Sequence, residues 1–133
     1  MLAVNPYVAF KGNCRAAIEF YKSALDGEVL FTQTVGQSPI ANMGPADNIM
    51  HCSMKVGDST LMMCDDPRPD ASPAGGNISL AIGLDDSVRA RRFFDNLAKD
   101  GTVIMPLEKT YWAEVFGMVT DKFGVKWMIN CNG

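Results

Sequence analysis

Residues 105–130, MPLEKTYWAEVFGMVTDKFGVKWMIN, contain the signal that decides the fold. The alternation over 114–120 predicts a strand, the Asp-Lys-Phe-Gly sequence at 121–124 predicts a turn, and 125–130 predict a second strand. A polar and aromatic loop over 108–113 precedes this β-hairpin. The loop and the strand after it carry Tyr111, Trp112, Glu114 and Phe116, whose side chains can crown a concave sheet.

Strand and helix signals elsewhere in the chain occur in a fixed order. Apolar spacing predicts helices over residues 14–25 and 88–99, and strands over 4–10, 28–35, 49–56, 60–64, 78–84 and 102–107. Asn13 and the Asp-Asp-Ser sequence at 85–87 are the expected helix caps. Gly27 and Gly101 are the expected stop signals.

An internal repeat emerges when the two halves are compared. The Phe-Tyr pair at 20–21 matches the Phe-Phe pair at 93–94, and Gly-Glu-Val at 27–29 matches Gly-Thr-Val at 101–103. Strand, helix and three strands occur twice, which indicates a duplication of a βαβββ unit. We therefore predict one domain over 1–133, with a first module at 1–65, a linker at 66–76 and a second module at 77–133. The pattern alone gives the α+β class with antiparallel sheet.

Composition excludes several classes of function. The chain has 133 residues, a net charge of −3 and no basic block, so nucleic acid is not an expected partner. No apolar run reaches membrane-spanning length, and the N-terminus has no secretory-signal pattern, so we expect a cytoplasmic protein with no membrane partner. The four cysteines are scattered, as small apolar residues are in a reducing compartment.

Several short motifs together resemble one family. They are Met-Pro-Leu at 105–107, Thr-Tyr-Trp at 110–112, Phe-Gly-Met at 116–118, Thr-Asp-Lys-Phe-Gly at 120–124, Trp-Met at 127–128, Gly-Asn-Cys at 12–14, Phe-Tyr at 20–21, Ile-Met-His at 49–51 and Asn-Ile-Ser-Leu at 77–80. This set resembles the PhnB-like branch of the vicinal-oxygen-chelate superfamily, the glyoxalase and bleomycin-resistance group. The resemblance implies an α+β fold of tandem βαβββ modules, whose antiparallel or mixed sheets form a cup for ligands.

The same resemblance implies where a metal would bind. Superfamily enzymes hold a divalent metal with His, Gln or Glu side chains from the first and last strands of each module, and the matching residues here are Asn5, Met62, Asn77 and Met128. Amides and thioethers are poor ligands for such metals. We therefore predict no metal at this position and no cofactor.

His51, the only histidine, is open to two interpretations. On a strand it shares a face with Ser53, whereas Cys52 and Met54 share the other face. In the first interpretation it is a catalytic proton shuttle that pairs with Glu114, Cys64 or a substrate hydroxyl. In the second it is a neutral, hydrogen-bonded histidine that orders the polar floor of a pocket.

The predicted ligand pocket combines the four metal-position residues, which the resemblance places facing the cup, with residues expected beside them from strand alternation and from the aromatic stretch. They are Asn5, Tyr7, His51, Ser53, Met62, Cys64, Asn77, Ser79, Trp112, Phe116 and Met128. Tyr111 and Trp112 have a second interpretation, burial in a dimer interface.

Three functions remain open after these observations. A methyltransferase, a label sometimes given to members of the branch, is not expected, because no Gly-x-Gly turn between a strand and a helix is present. The first function is a metal-free module that binds a small molecule as a homodimer. The second is a lyase, isomerase or dioxygenase-like enzyme that uses His51, with an unusual metal or none. The third is a scaffold with a packed cup. Loss of the four metal positions favours the first.

Overall fold

The computed structural model describes residues 2–39, 44–66 and 77–132. The chain divides into two compact units, Met1–Ala74 and Gly75–Gly133. The first module contains β1 (Tyr7–Phe10), α1 (Cys14–Ala24), β2 (Glu28–Thr34), a 3₁₀ turn (Val35–Gln37), β3 (Ile49–Val56) and β4 (Ser59–Asp65). The second contains β5 (Leu80–Leu84), α2 (Ser87–Ala98), β6 (Thr102–Glu108), β7 (Val115–Thr120) and β8 (Lys126–Cys131).

The two sheets have the same topology. Their strand orders are β1-β4-β3-β2 and β5-β8-β7-β6. In each sheet the first and last strands of the module pair in parallel, and the remaining neighbours are antiparallel. The predicted α+β class with two βαβββ modules is confirmed. Each sheet is mixed, as the resemblance allowed, because each module's first strand inserts in parallel beside its last. The pattern alone had indicated only antiparallel sheet.

Each helix covers one face of its own sheet. In the first module Cys52, Met54 and Met63 are fully buried, on the face that α1 covers with residues such as Tyr21. In the second, Trp127, Ile129 and Cys131 form the corresponding stripe beneath the buried Phe93, Phe94 and Leu97 of α2. Because side chains alternate along a strand, the intervening residues lie on the other face, which we call the open face.

Two buried carboxylates hold the ends of these sheets. Asp65 accepts hydrogen bonds from the amides of Gly12 (2.8 Å), Cys14 (3.0 Å) and Ile49 (2.8 Å). The carboxylate thereby joins the end of β4 to the start of α1 and the start of β3.

Asp121 occupies the β7–β8 turn. It accepts hydrogen bonds from the amides of Phe123 (2.8 Å) and Val125 (3.1 Å) and from Trp127 Nε1 (2.9 Å). The turn predicted at 121–124 is present, whereas the burial of Asp121 was not predicted.

The helix ends differ in detail from the prediction. Asn13 precedes α1 but makes no side-chain capping bond, since Asp65 accepts from the amide of Cys14 instead. Asp86 does cap α2, accepting from the amides of Val88 and Arg89, both at 3.1 Å.

Both helices end before the predicted glycines, whose amides donate to carbonyl oxygens of the last turns: Gly27 to Lys22 and Gly101 to Ala98. The left-handed residues of these turns are aspartates. Asp26 and Asp100 adopt the left-handed conformation, with φ of 54° and 59°. Gly27 and Gly101 serve close packing: a Cβ on Gly27 would lie 2.5 Å from Met54 Sδ. A Cβ on Gly101 would collide with the carbonyl oxygen of Thr120.

Strand boundaries also differ from the predicted ones. β1 begins at Tyr7 and β5 at Leu80, so Asn5, Asn77 and Ser79 precede their strands rather than lying within them. The β-hairpin predicted over residues 114–130 is present as β7 and β8. Residues 40–43, and the predicted linker apart from Asp66, lie outside the described residues.

Candidate functional site

The open face of the first module is built from two rows of side chains that cross all four strands. The register Tyr7–Met62–Ser53–Phe31 gives one row. One step along, the second row is Ala9–Cys64–His51–Gln33: Ala9 pairs with Cys64 and Gln33 with His51. His51 and Cys64 are neighbours by continuation of the Cys52–Met63 register. Five of the predicted pocket residues therefore share one surface.

His51 is hydrogen-bonded through both ring nitrogens. Tyr7 Oη lies 3.1 Å from Nδ1, and Ser53 Oγ lies 3.0 Å from Nε2. The rings of Tyr7 and Phe31 flank the imidazole, with centroids 5.6 Å and 6.1 Å away. In this arrangement neither nitrogen is left to bind a metal or to exchange a proton directly with a ligand.

The state of Tyr7 sets the direction of these bonds. Burial raises the pKa of Tyr7 to about 12, and the charge and hydrogen bond of the neighbouring Cys64 thiol act in the same direction. Tyr7 therefore stays protonated at neutral pH and can donate to Nδ1. When Tyr7 donates to Nδ1, the Nε2–H tautomer donates to Ser53 Oγ, and the Ser53 proton then points away from the ring.

The cysteines differ according to the face they occupy. Burial, followed by the charge of Asp65, raises the pKa of the Cys14 thiol well above its usual range. Burial also raises the pKa of Cys52, partly opposed by a hydrogen bond from Thr32. Both therefore behave as apolar core residues. Cys64 lies on the open face and is partly exposed.

The open face of the second module has a different character. Its central row is Ala81–Met128–Met118–Met105, and the next row is Gly83–Asn130–Phe116–Glu108. Trp112 packs edge-on against Phe116 with ring centroids 5.3 Å apart. Trp112 therefore reaches the open face from the loop before β7, whereas Tyr111 is 97% exposed.

Asn130 lies beside Phe116 with an unusual environment. Its Oδ1 is buried and has no hydrogen-bond partner among the described atoms. An unpaired buried carbonyl destabilises the fold by roughly 1–3 kcal/mol. Such a group is a candidate for contact with a ligand donor.

The other end of this face contains a cavity of about 280 Å³. The described residues that line it are Asn77, Ser79, Ile104, Met118, Val119, Thr120, Lys126 and Trp127. Asn77 and Ser79 were predicted as pocket residues. The other six were missed, although the alternation of β7 and β8 could have placed Thr120 and Lys126 on the same face as Met118 and Met128.

Comparison with known proteins settles the family. The family model described as "Glyoxalase/Bleomycin resistance protein/Dioxygenase superfamily" matches residues 3–129. The chain belongs to this superfamily.

Relatives of the glyoxalase superfamily match along the whole chain. Protein YjdN of Escherichia coli K12 is 34% identical over 140 residues, covering 97% of this chain and 95% of that protein. The crystal structure of protein PA1353 from Pseudomonas aeruginosa is 39% identical, with a TM-score of 0.89 and coverage of 99% and 98%.

A third match shares the fold at lower identity. It is a putative 3-demethylubiquinone-9 3-methyltransferase, PhnB protein, from Bacillus cereus, 22% identical with a TM-score of 0.83 and coverage of 98% and 99%. The superfamily predicted from the sequence is confirmed, and a PhnB protein is among the structures with this fold.

The residues at the superfamily's metal positions do not fit a divalent metal. Asn5 is exposed and precedes β1, Met62 and Met128 are partly exposed strand residues, and Asn77 is exposed before β5. Within residues 2–39, 44–66 and 77–132, no group of three or more His, Cys, Asp or Glu side chains could hold a metal ion.

Glu114, the second catalytic candidate, lies in the loop before β7 and is exposed. It belongs to the second module, whereas the contacts of His51 described above lie within the first. Pairing of Glu114 with His51 stays a prediction.

None of the described helices is long and apolar enough to cross a membrane.

Proposed function

We propose that this glyoxalase-superfamily protein binds a small organic molecule on its open sheet faces, without a metal or other cofactor, as a homodimer. The observation that carries the proposal is the double engagement of His51, by Tyr7 at 3.1 Å and Ser53 at 3.0 Å. A metal or a direct proton transfer at His51 would require one of these bonds to break. The arrangement instead favours a histidine that orders a polar floor.

The first module's open face indicates what its ligand would contact. Ser53 has its hydroxyl proton available when Nε2 donates to its oxygen, so it can donate to a carbonyl or another acceptor oxygen. Tyr7 and Phe31 flank this position and are each about half exposed, at 52% and 51%. A flat apolar molecule with an acceptor oxygen suits this surface. The same exposure argues against a scaffold whose open face is packed.

Three exposed apolar side chains support the homodimer. Leu30 on the edge strand β2 is 54% exposed, and Tyr111 and Trp112 are 97% and 48% exposed. Large aromatic side chains are enriched in interfaces between subunits. Light scattering at micromolar concentration should give twice the chain mass, and a monomer mass would contradict this part of the proposal.

A cytoplasmic location is part of the proposal. Cys14, Cys52, Cys64 and Cys131 are all free thiols. Free thiols are typical of a reducing compartment.

An enzyme is the second candidate, because Tyr7, His51 and Ser53 form a continuous hydrogen-bonded chain with Cys64 beside it. Such a chain can relay a proton to a ligand held at Ser53. An isomerase or lyase would then require Tyr7 for turnover. A binding protein would depend less on Tyr7 for its affinity.

The test combines metal analysis with ligand binding. Metal content is measured in the purified protein and after incubation with zinc, nickel, manganese or iron(II). Binding of small aromatic ketones is then followed by NMR, including the imidazole nitrogens of His51. Ser53→Ala should weaken binding by about 2- to 10-fold, the value of one neutral hydrogen bond. Ser59→Ala, at the exposed start of β4, is the matched control and should leave binding unchanged.

Two outcomes would overturn the proposal. Stoichiometric metal that disappears in His51→Ala would place a metal on the imidazole and favour the enzyme. Aromatic ketones that leave the spectrum of the first module unchanged would remove its open face as a ligand surface.

A further inference from the structure

We propose that the open face of the second module binds a flat aromatic molecule whose ring carries an N–H donor, with that N–H bonded to Asn130 Oδ1 and the ring lying over Gly83. This inference rests on the proposed binding function and names a ligand class for the second module. Two independent features of the Gly83–Asn130–Phe116 row support it. They are an acceptor atom without a partner and a glycine that packing does not require.

The acceptor is the amide oxygen of Asn130, on the last strand of the module. Oδ1 is buried and has no hydrogen-bond partner among the described atoms. A buried acceptor without a donor destabilises the folded chain, so its presence needs an explanation other than stability. Because an amide oxygen accepts and cannot donate, a ligand that satisfies it has to supply the hydrogen.

Gly83 pairs with Asn130 across the parallel β5–β8 ladder and leaves space beside it. A Cβ on Gly83 would meet no described atom within 4 Å, and the φ of Gly83 does not lie in the left-handed region. Neither packing nor backbone conformation therefore requires a glycine here, although glycine weakens the interior of a strand. A glycine of this kind is typical of a strand that another molecule approaches closely.

The floor beside Asn130 is flat, because β5 carries only small residues on the open face. These residues are Ala81 and Gly83, and both are exposed. Alternate residues of a strand are about 7 Å apart, which is long enough for a fused two-ring system. Met128 pairs with Ala81 and adds an adaptable thioether wall, a good neighbour for an aromatic ring.

The other side of Asn130 is closed by aromatic side chains. Phe116 pairs with Asn130 from β7 and is only 7% exposed, and Trp112 packs against it with ring centroids 5.3 Å apart. A ligand therefore reaches Asn130 from the side of Gly83. Asn130 as a whole is partly exposed, and the terminal torsion of an asparagine side chain is broad. A small rotation about this torsion can present Oδ1 to the space above Gly83.

The equivalent row of the first module shows that the fold does not require this arrangement. Ala9 there occupies the place of Gly83, and its partner Cys64 occupies the place of Asn130. The methyl group of Ala9 takes up part of the space that Gly83 leaves, and a thiol is a weak acceptor. A strong acceptor beside a glycine is thus a feature of the second module and not of the duplicated unit.

A ring N–H suits this acceptor better than a hydroxyl does. Like the indole of tryptophan, it donates one hydrogen bond and has no acceptor that would need a partner of its own. A site built around such a bond rejects an analogue without the donor, because the buried acceptor then stays unpaired.

The experiment uses indole as the probe, with benzofuran as a matched compound in which oxygen replaces the ring N–H. Two-dimensional NMR of the whole protein should show indole shifting the backbone amides of Ala81, Gly83 and Met128 and the side-chain amide of Asn130. Indole should bind about tenfold or more tightly than benzofuran, which leaves Oδ1 unpaired. Equal affinity for the two compounds would overturn the N–H contact.

Asn130→Leu tests the acceptor through selectivity as well as affinity. The variant has lost Oδ1, so indole and benzofuran should bind it with affinities within about twofold of each other. A merely structural role of Asn130 would change both affinities and leave their ratio as it is in the native protein. An unchanged ratio would therefore overturn the proposal.

Gly83→Leu tests the location, because the new side chain fills the space intended for the ring. It should weaken indole binding by about 10-fold or more. Thr102→Leu, exposed on the opposite edge strand of the same sheet, is the matched control and should leave indole affinity within about twofold. Equal losses in the two variants would overturn the site. Conversion of a dimer into a monomer by Gly83→Leu, without any indole shift in the native row, would assign the surface to a second copy of the chain and also overturn it.

The failure of this inference is distinct from that of the proposed function. Indole that shifts only Tyr7, Ser53 and their neighbours would exclude the row of Asn130 and leave the first-module surface in place. The absence of any shift with indole, together with binding of aromatic ketones to the first module, would have the same meaning. Loss of ketone binding with indole retained at Asn130 would remove the ligand surface proposed for the first module and keep this one.

Discussion

The two modules share a topology and differ in how their open faces satisfy polar groups. In the first, His51 lies in a row with Cys64 and is bonded to Tyr7 and Ser53. In the second, the equivalent row holds Asn130 and Phe116, and Asn130 Oδ1 has no partner among the described atoms. The covered faces, by contrast, follow the same plan. The two modules thus share the plan of their helix-covered cores, while their open faces carry different side chains.

The two buried aspartates lie at the ends of the sheets. Substitution of these aspartates is expected to have the largest effects on the free energy of unfolding. Asp65→Ala leaves the amides of Gly12, Cys14 and Ile49 without their acceptor. We expect a loss of about 3–5 kcal/mol in the free energy of unfolding, because several buried donors lose their partner together. Urea denaturation measures this, with Asp58→Ala in the exposed β3–β4 turn as the control. A loss below about 1 kcal/mol would mean that water replaces the carboxylate.

Asp121→Ala is the corresponding substitution in the second module. Asp121 accepts one of its hydrogen bonds from the indole of Trp127 rather than from a backbone amide. The side chain of Trp127 can move, whereas backbone amides in a turn cannot. We therefore expect a smaller loss than for Asp65→Ala, about 2–4 kcal/mol. Trp127 fluorescence should change in this variant and stay unchanged in Asp65→Ala. A loss greater than that of Asp65→Ala would reverse the assigned order.

The glycines after the two helices provide the next comparison. In Gly101→Ala the new Cβ meets the backbone oxygen of Thr120, which cannot move without disturbing β7, so we expect a loss of about 3 kcal/mol. In Gly27→Ala it meets the thioether of Met54, which can change rotamer, and a loss of about 1 kcal/mol is expected. Thermal unfolding distinguishes the two. Equal losses would show that the first module is as rigid as the second at this point.

These helix ends also show what sequence could and could not predict. Gly27 and Gly101 were recognised as boundaries because glycine interrupts an apolar period, and the elements before and after them were placed within a few residues. The sequence does not show why these positions need glycine, since the contact of Gly101 with Thr120 joins positions far apart in the chain. The same limit hid the capping of α1 by Asp65.

The candidate site was predictable to a similar degree. Strand alternation correctly placed His51 and Ser53 on one face. It could not predict that Tyr7 would reach His51 from another strand, because β1 inserts beside β4 rather than following the chain order. Nor could it predict Ile104 as a cavity wall, since a bulge breaks the alternation on which the prediction depends.

Asn130→Leu tests the effect of the unpaired amide oxygen on the open face of the second module. Removing an unpaired buried carbonyl in favour of an apolar side chain of similar volume should stabilise the protein by about 1 kcal/mol. Stabilisation by removal of a polar group is expected where function, rather than stability, requires that group. Asn132→Leu, just beyond β8 and exposed, is the control. Destabilisation by Asn130→Leu would indicate that the amide has a partner in solution.

The smallest effect concerns Tyr7 and depends on pH. The pKa of Tyr7 is raised from 10.0 to about 12, chiefly by burial, so its contribution to stability is fully present below pH 10 and is lost as the pH rises towards 12. At neutral pH Tyr7→Phe removes one partly exposed hydrogen bond, and a loss of about 0.5 kcal/mol is expected. Between pH 10 and 12 the native protein should lose stability relative to Tyr7→Phe, so the difference between the two should shrink or reverse. Tyr111→Phe, altered at a residue that is 97% exposed, is the control and should follow the native protein across this range. A constant difference between the native protein and Tyr7→Phe from pH 8 to pH 12 would show that the phenol ionises as easily in the folded chain as in the unfolded one.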